Sequence, residues 1–352
     1  MKTRTLPFIQ AILAAVLFGA SAPLAKLLLG EIEPTPLAAC LYLGSGIILL
    51  FALIGQRLSG SFEVKEAPLR KCDLPWLSGA IIAGGVAAPI ILMYSLQVTA
   101  AATTSLLLNF EAVATTLIAV LVFHEALSRP AVLAVVLVTL ASILLTFDTS
   151  GAWGISLGAL GVLAATALWG LDNNLTRNIS AKNPLVIVAI KGLAAGSISL
   201  LLAVLIGSRF PSPKVILEAM LLGGLSYGLS IVLFVHALRA LGAARTSALF
   251  GTAPLAGVIL SLALFQVLPP IAFWFALPLM VLGTAILLRE EHEHTHDHEH
   301  LIHEHAHCHD DDHHNHMHPD QSPPVTHTHL HEHNNVIHTH NHMPDIHHRH
   351  GH

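Results

Sequence analysis

Ten runs of apolar residues, each long enough to cross ~30 Å of hydrocarbon at ~1.5 Å per residue, succeed one another along this chain of 352 residues. Their centres fall near residues 17, 45, 86, 112, 138, 164, 194, 227, 255 and 279. The breaks between them carry turn or charge signals, as at Glu31 to Pro36, Glu125 to Pro130, Asn178 to Asn183 and Pro269 to Pro270. Runs of this length and number imply lipid as the solvent and ten transmembrane α-helices as the form. With 53% hydrophobic and 11% charged residues and a mean hydropathy of +0.66, the chain lies outside the range of a soluble domain. Lys2 and Arg4 followed by an apolar run to Ala20-Ser21-Ala22 imitate a secretory leader, but the run continues to Leu29 and is long enough to span.

Charge is divided between two regions. Up to Leu288 there are 15 basic and 10 acidic residues; from Arg289 to His352 there are 2 and 12, together with 24 of the 26 histidines. Cys40, Cys72 and Cys308 are too scattered for a disulfide framework.

The body repeats. Phe18-Gly19 with Lys26 seven residues after the glycine matches Trp169-Gly170 with Arg177 seven after, and Leu96, Thr104 and Ser105 match Leu238, Thr246 and Ser247. Residues 1–148 and 149–288 are thus read as two five-helix units, and 289–352 as a disordered tail. An odd number of spans per unit makes the second copy enter the membrane inverted, the arrangement that lets two halves rock around a central site. With the N-terminus inside, twelve basic residues fall on the cytoplasmic side and only Lys26, Arg209 and Lys214 outside. Both termini are therefore expected in the cytoplasm, and the setting is read as a bacterial inner membrane.

These residues resemble the EamA-like branch of the drug/metabolite transporter superfamily, whose two five-helix units each open with an aromatic-Gly helix ending in a basic residue. Leu108 to Glu125 is similar to that family's fourth helix, with Glu111 and Glu125 at its two acid positions. The chain departs from the pattern at Ala112, His124 and Val267, and keeps the second-unit proline as Pro254. The resemblance covers residues 7 to 288 and implies a secondary transporter of small solutes. It implies no substrate and leaves the tail unexplained.

Several polar residues stand inside the apolar runs, where an ionised group facing lipid costs about 2.5 to 3.5 kcal/mol. Glu111 shares a helical stripe with Thr104 and Thr115 at i, i+7 and i+11, with Asn109 close by. Two readings stand: a cavity in which Glu111 binds substrate or carries a proton, and an acid that fixes helix packing. Asp172 and Asn173 occupy the repeat positions of Ser21 and Ala22; they line a cavity or form a hydrated helix end. Lys26 and Arg177 belong to the transport path or snorkel to opposite interfaces. Lys191 lies deep and must find an acid or a wet cavity.

The tail sets imidazoles at every second residue with carboxylates between them. His292, His294, His296, His298, His300, His303, His305, His307, His309, His313, His314, His316 and His318 are its candidate ligands. Neutral imidazole suits Zn, Ni or Co, and the absence of a closed-site spacing favours many interchangeable sites. No other cofactor, no nucleic-acid partner and no enzymatic activity is expected. No G-x-x-x-x-G-K-[ST] loop is present to drive transport by ATP. Divalent-metal efflux, export of an organic metabolite with the tail as a metal store or regulator, and a membrane-tethered metal buffer remain as alternatives. The partners read from the chain are the bilayer and a small molecule or metal ion.

Overall fold

The computed structural model describes residues 5–58, 69–123, 128–147, 156–180 and 182–288, and beyond them 292–297, 301–307, 327–333 and 337–342. The first span runs through α1 (Thr5–Gly19) and α2 (Ser21–Leu28), and the second is α3 (Pro34–Leu58). The third joins a 3-10 turn (Lys71–Asp73), α4 (Leu74–Ala80), a π-helical segment (Ile81–Ala87) and α5 (Ala88–Val98). The fourth is split into α6 (Ala101–Leu107) and α7 (Phe110–Phe123), and the fifth is α8 (Arg129–Thr146).

The second half follows the same plan. It has α9 (Leu157–Arg177), α10 (Pro184–Leu205), α11 (Pro213–Gly223) with a π segment (Gly224–Leu229) and α12 (Ser230–Leu241), a split span of α13 (Ala243–Phe250) and α14 (Ala253–Phe265), and α15 (Ile271–Leu288). Local chemistry sets several starts. Ser128, Ser156 and Asn183 accept from backbone N–H groups of their first turns, and Pro130 and Pro184 stand at first helical positions, where their missing N–H costs nothing.

Eight of the described helical runs are long and apolar enough to cross a membrane. Of the ten expected, α15 is a shorter apolar helix, and α9, though 21 residues long, carries the polar stretch Asp172-Asn173-Asn174 and Arg177. Large apolar side chains such as Phe51, Leu121, Val136 and Ile259 stay exposed on the outside. So much uncovered apolar surface fits contact with acyl chains rather than water.

Small residues bring the helices together. A Cβ on Gly192 would meet the backbone N of Gly46 at 2.8 Å, so α3 and α10 approach with no side chain between them. Gly257 and Gly19 do the same for α14 and α1, where a Cβ on Gly257 would meet the Gly19 carbonyl at 2.6 Å. The main core, including Leu37, Leu92, Leu96, Leu106 and Phe273, lies between these helices.

The expectation of a structureless tail meets a different backbone in its described residues. Four strands, β1 (His292–Asp297), β2 (Leu301–His307), β3 (His327–His333) and β4 (Ile337–His342), pair antiparallel as β1 with β4 and β2 with β3. Histidine at every second position matches the period of a pleated strand, and the backbone register pairs position His294 with His340 and His305 with His329. His298, His300, His309, His313, His314, His316 and His318 lie outside the described residues, as do His124 and Glu125.

Candidate functional site

The fourth span breaks in its middle, so Glu111 falls in the first turn of a new helix, α7, where the exposed backbone N–H groups favour a carboxylate. Thr115, one turn on, donates to the Glu111 carbonyl at 2.8 Å. Across from them, Asn173 of α9 donates to Glu111 Oε1 at 2.9 Å and to Thr115 Oγ1 at 3.1 Å. The approach depends on Gly170, where a Cβ would meet the Thr115 backbone N at 2.8 Å. Asn173 is exposed and Glu111 half-buried, so the pair borders open space inside a membrane-length helix.

Asp172, the next residue on α9, turns the other way. Lys191 of α10 donates to both its oxygens at 2.6 Å, and Thr176 donates to Oδ1 at 2.9 Å. The Lys191 and Asp172 side chains retain 14% and 9% exposure, which makes this a mostly buried, charge-neutral pair.

Aromatic rings extend the site. Tyr42 Oη and Trp169 Nε1 both donate to the Gly84 carbonyl, at 2.8 and 2.9 Å. Gly84 lies in the first π segment, where the displaced helical ladder leaves a carbonyl available to side chains. Tyr227, in the second π segment, packs its ring 5.9 Å from Tyr42 and 5.8 Å from Phe18, and Phe18 lies 5.3 Å from Phe250. In the sequence Phe18 and Trp169 open the two repeated stretches, but no spacing there pairs them with Tyr42 or Tyr227.

The remaining expected residues separate. Thr104 is fully buried and has no hydrogen-bond partner among the described residues; the helix break takes it off the Glu111 stripe. Asn109 sits in that break, donating to the Leu106 carbonyl at 3.0 Å and accepting from Thr284 at 3.2 Å. Lys26 does not snorkel away from the protein. Its Nζ donates to the carbonyls of Leu96, Gln97 and Thr99 at 2.5, 2.8 and 3.1 Å, closing the C-terminal end of α5. Arg177 closes α9 at the opposite end of the bundle.

The two ends of the bundle are packed differently. At the Lys26 end, α6 packs along α14, and α2 is wedged among α5, α6 and α14. At the Arg177 end, among the described residues, the corresponding pieces α7 and α13 make no comparable contact, nor does α9 with α12 or α13, while α9 packs along α7 and α4. Among the described residues the two halves thus pack more closely at the Lys26 end than at the Arg177 end.

Eight membrane-length apolar helices packed around a polar and aromatic centre mark an integral membrane protein. The chain belongs to the EamA-like transporter family, whose profile matches residues 5–147 and again 156–289. It is similar to an uncharacterized transporter of Methanothermobacter thermautotrophicus, 29% identical over 266 residues, which cover 72% of this chain and 77% of the relative. A solved crystal structure shares the fold at a TM-score of 0.58 and 19% identity, over 81% of this chain and 96% of the other.

Proposed function

We propose that the protein is a secondary exporter of small organic solutes, in which two inverted five-helix halves, 1–148 and 149–288, rock around a site built by Glu111, Thr115 and Asn173. The observation that carries this reading is the packing asymmetry: among the described residues, corresponding half-helices pack more closely at the Lys26 end than at the Arg177 end, with the Glu111–Asn173 pair between them. In an inverted repeat, exchanging the two packings gives the opposite opening. The count of basic residues makes the less closely packed end cytoplasmic, so the described state receives solute from inside. In this reading α9 and α15 complete the ten spans.

The tail is a cytoplasmic binder of Zn, Ni or Co that stores metal or regulates transport. Its donor set, imidazoles alternating with carboxylates, fits these ions, and the strand register brings histidine positions opposite one another. Divalent-metal efflux is the second reading and rests on this tail. Among the described residues no group of three or more His, Cys, Asp or Glu side chains is placed to hold a metal, which favours an organic cargo in the spans.

The test compares cells without the gene, with it, and with Glu111→Gln, challenged with panels of organic solutes and metal salts. Organic-solute tolerance that is gained with the gene and lost in the variant, at equal membrane abundance, supports the reading. Tolerance to metal salts alone moves the function to metal efflux. A reporter after His352 should lie in the cytoplasm and one between Thr149 and Gly151 outside; both on one side would overturn the topology.

A further inference from the structure

The charges at the centre do not cancel. Lys191 is committed to Asp172, which it meets through both carboxylate oxygens. Glu111 has a neutral partner, the Asn173 amide, and no basic side chain among the described residues is shown in an ion pair with it. With Glu111, Asp172 and Lys191 ionised, the three charges sum to one net negative charge, on the carboxylate beside the exposed Asn173. Such a charge in a low-dielectric surround attracts a cation and rejects an anion.

The neighbouring surface says what kind of cation. Trp169 precedes Asn173 by four residues on α9 and shares its helical face, about 6 Å of rise away. Its ring and that of Tyr42 are held in place by their bonds to the Gly84 carbonyl. Trp169, Tyr42, Tyr227 and Phe18 are all only partly buried. A carboxylate beside fixed aromatic rings suits an ammonium group: the carboxylate takes the N–H donors while ring faces take the remaining charge and the apolar body. A bare divalent ion would find a single carboxylate here and aromatic carbon around it, a poor donor set for such an ion.

Building on the transport reading above, we propose that the cargo is an organic cation, a protonated amine on a small apolar or aromatic body, with its ammonium on Glu111 and its body against Trp169 and Tyr42. Purified full-length protein in detergent micelles is titrated calorimetrically with 2-phenylethylammonium, cyclohexylammonium and 1,5-pentanediammonium. The neutral alcohols and the carboxylates of the same skeletons serve as matched controls. At least one ammonium probe should bind at least about tenfold more tightly than its alcohol and carboxylate counterparts, the lower end for a hydrogen bond to a charged group. Glu111→Gln should remove that preference. Trp169→Leu should weaken ammonium binding several-fold and Trp169→Phe, which keeps a ring face, less. Circular dichroism checks that each variant is folded. Binding of no ammonium probe, equal binding of the carboxylates, or a preference that survives Glu111→Gln would overturn the cation class. If Glu111-dependent solute tolerance persists in cells under any of those outcomes, transport stands and only the cargo class falls; if that dependence is absent too, both fall.

Discussion

Separating Asp172 from Lys191 should show how much the centre of the bundle depends on one ion pair. Asp172→Asn leaves an ammonium, and Lys191→Met leaves a carboxylate, in a site where the two side chains keep only 9% and 14% exposure. Removing one partner of a buried pair costs about 3–5 kcal/mol, and the open space beside Asn173 places each single variant near the lower end, about 3 kcal/mol. Replacing both residues removes the desolvation penalty together with the attraction, so the double variant should lose about 1 kcal/mol or less. The cycle then returns a coupling of at least about 5 kcal/mol. Unfolding of the full chain in detergent micelles by added SDS, followed by far-UV circular dichroism, measures all four proteins. A coupling below about 0.5 kcal/mol, within the additivity of independent sites, would refute the pairing as a source of stability.

Two further outcomes follow from the geometry. Lys26→Met should loosen the more closely packed end. With the native cysteines replaced and Ser105→Cys placed at the α6–α14 seam, where Ser105 lies against Gly257, an impermeant maleimide applied from the Lys26 side should react faster in the Lys26→Met background; unchanged labelling would make Lys26 a static cap. The full chain should bind several Zn, Ni or Co ions at about pH 7.5 and release them toward about pH 5, because only neutral imidazole coordinates and histidine ordinarily protonates near pH 6.5. A chain ending at Leu288 should lack those sites, and a calorimetric titration that fails to distinguish the two chains refutes the tail as the metal binder.

Much of the architecture is legible in the order of residues because lipid imposes it: span length, the need for an acid near Lys191, and the paired aromatic-Gly openings all follow from local rules. Which acid Lys191 meets is set by the crossing of α9 and α10, and no spacing reveals it. The Thr104, Glu111 and Thr115 stripe presumes one continuous helix. The break at Leu108-Asn109 defeats that presumption, keeping Thr115 with Glu111 and sending Thr104 into the core. Tyr42 and Trp169 were invisible as a pair because their shared partner is a backbone carbonyl, which every residue has and only the fold exposes. Lys26 reads as an interfacial lysine until the end of α5 is seen beneath it.

The π segments at Ile81–Ala87 and Gly224–Leu229 also carry a consequence for residue count. A π turn accommodates an added residue within a helix that otherwise keeps its course. Deleting one residue from Gly84-Gly85 would let that turn close into plain α-helix while the helix beyond it keeps its setting, and would withdraw the Gly84 carbonyl that Tyr42 and Trp169 share. Both π segments thus hold a residue that the helix course does not need, and any chimera that joins these stretches to another scaffold must carry it across to keep the exposed carbonyl rather than the alignment of the helix downstream.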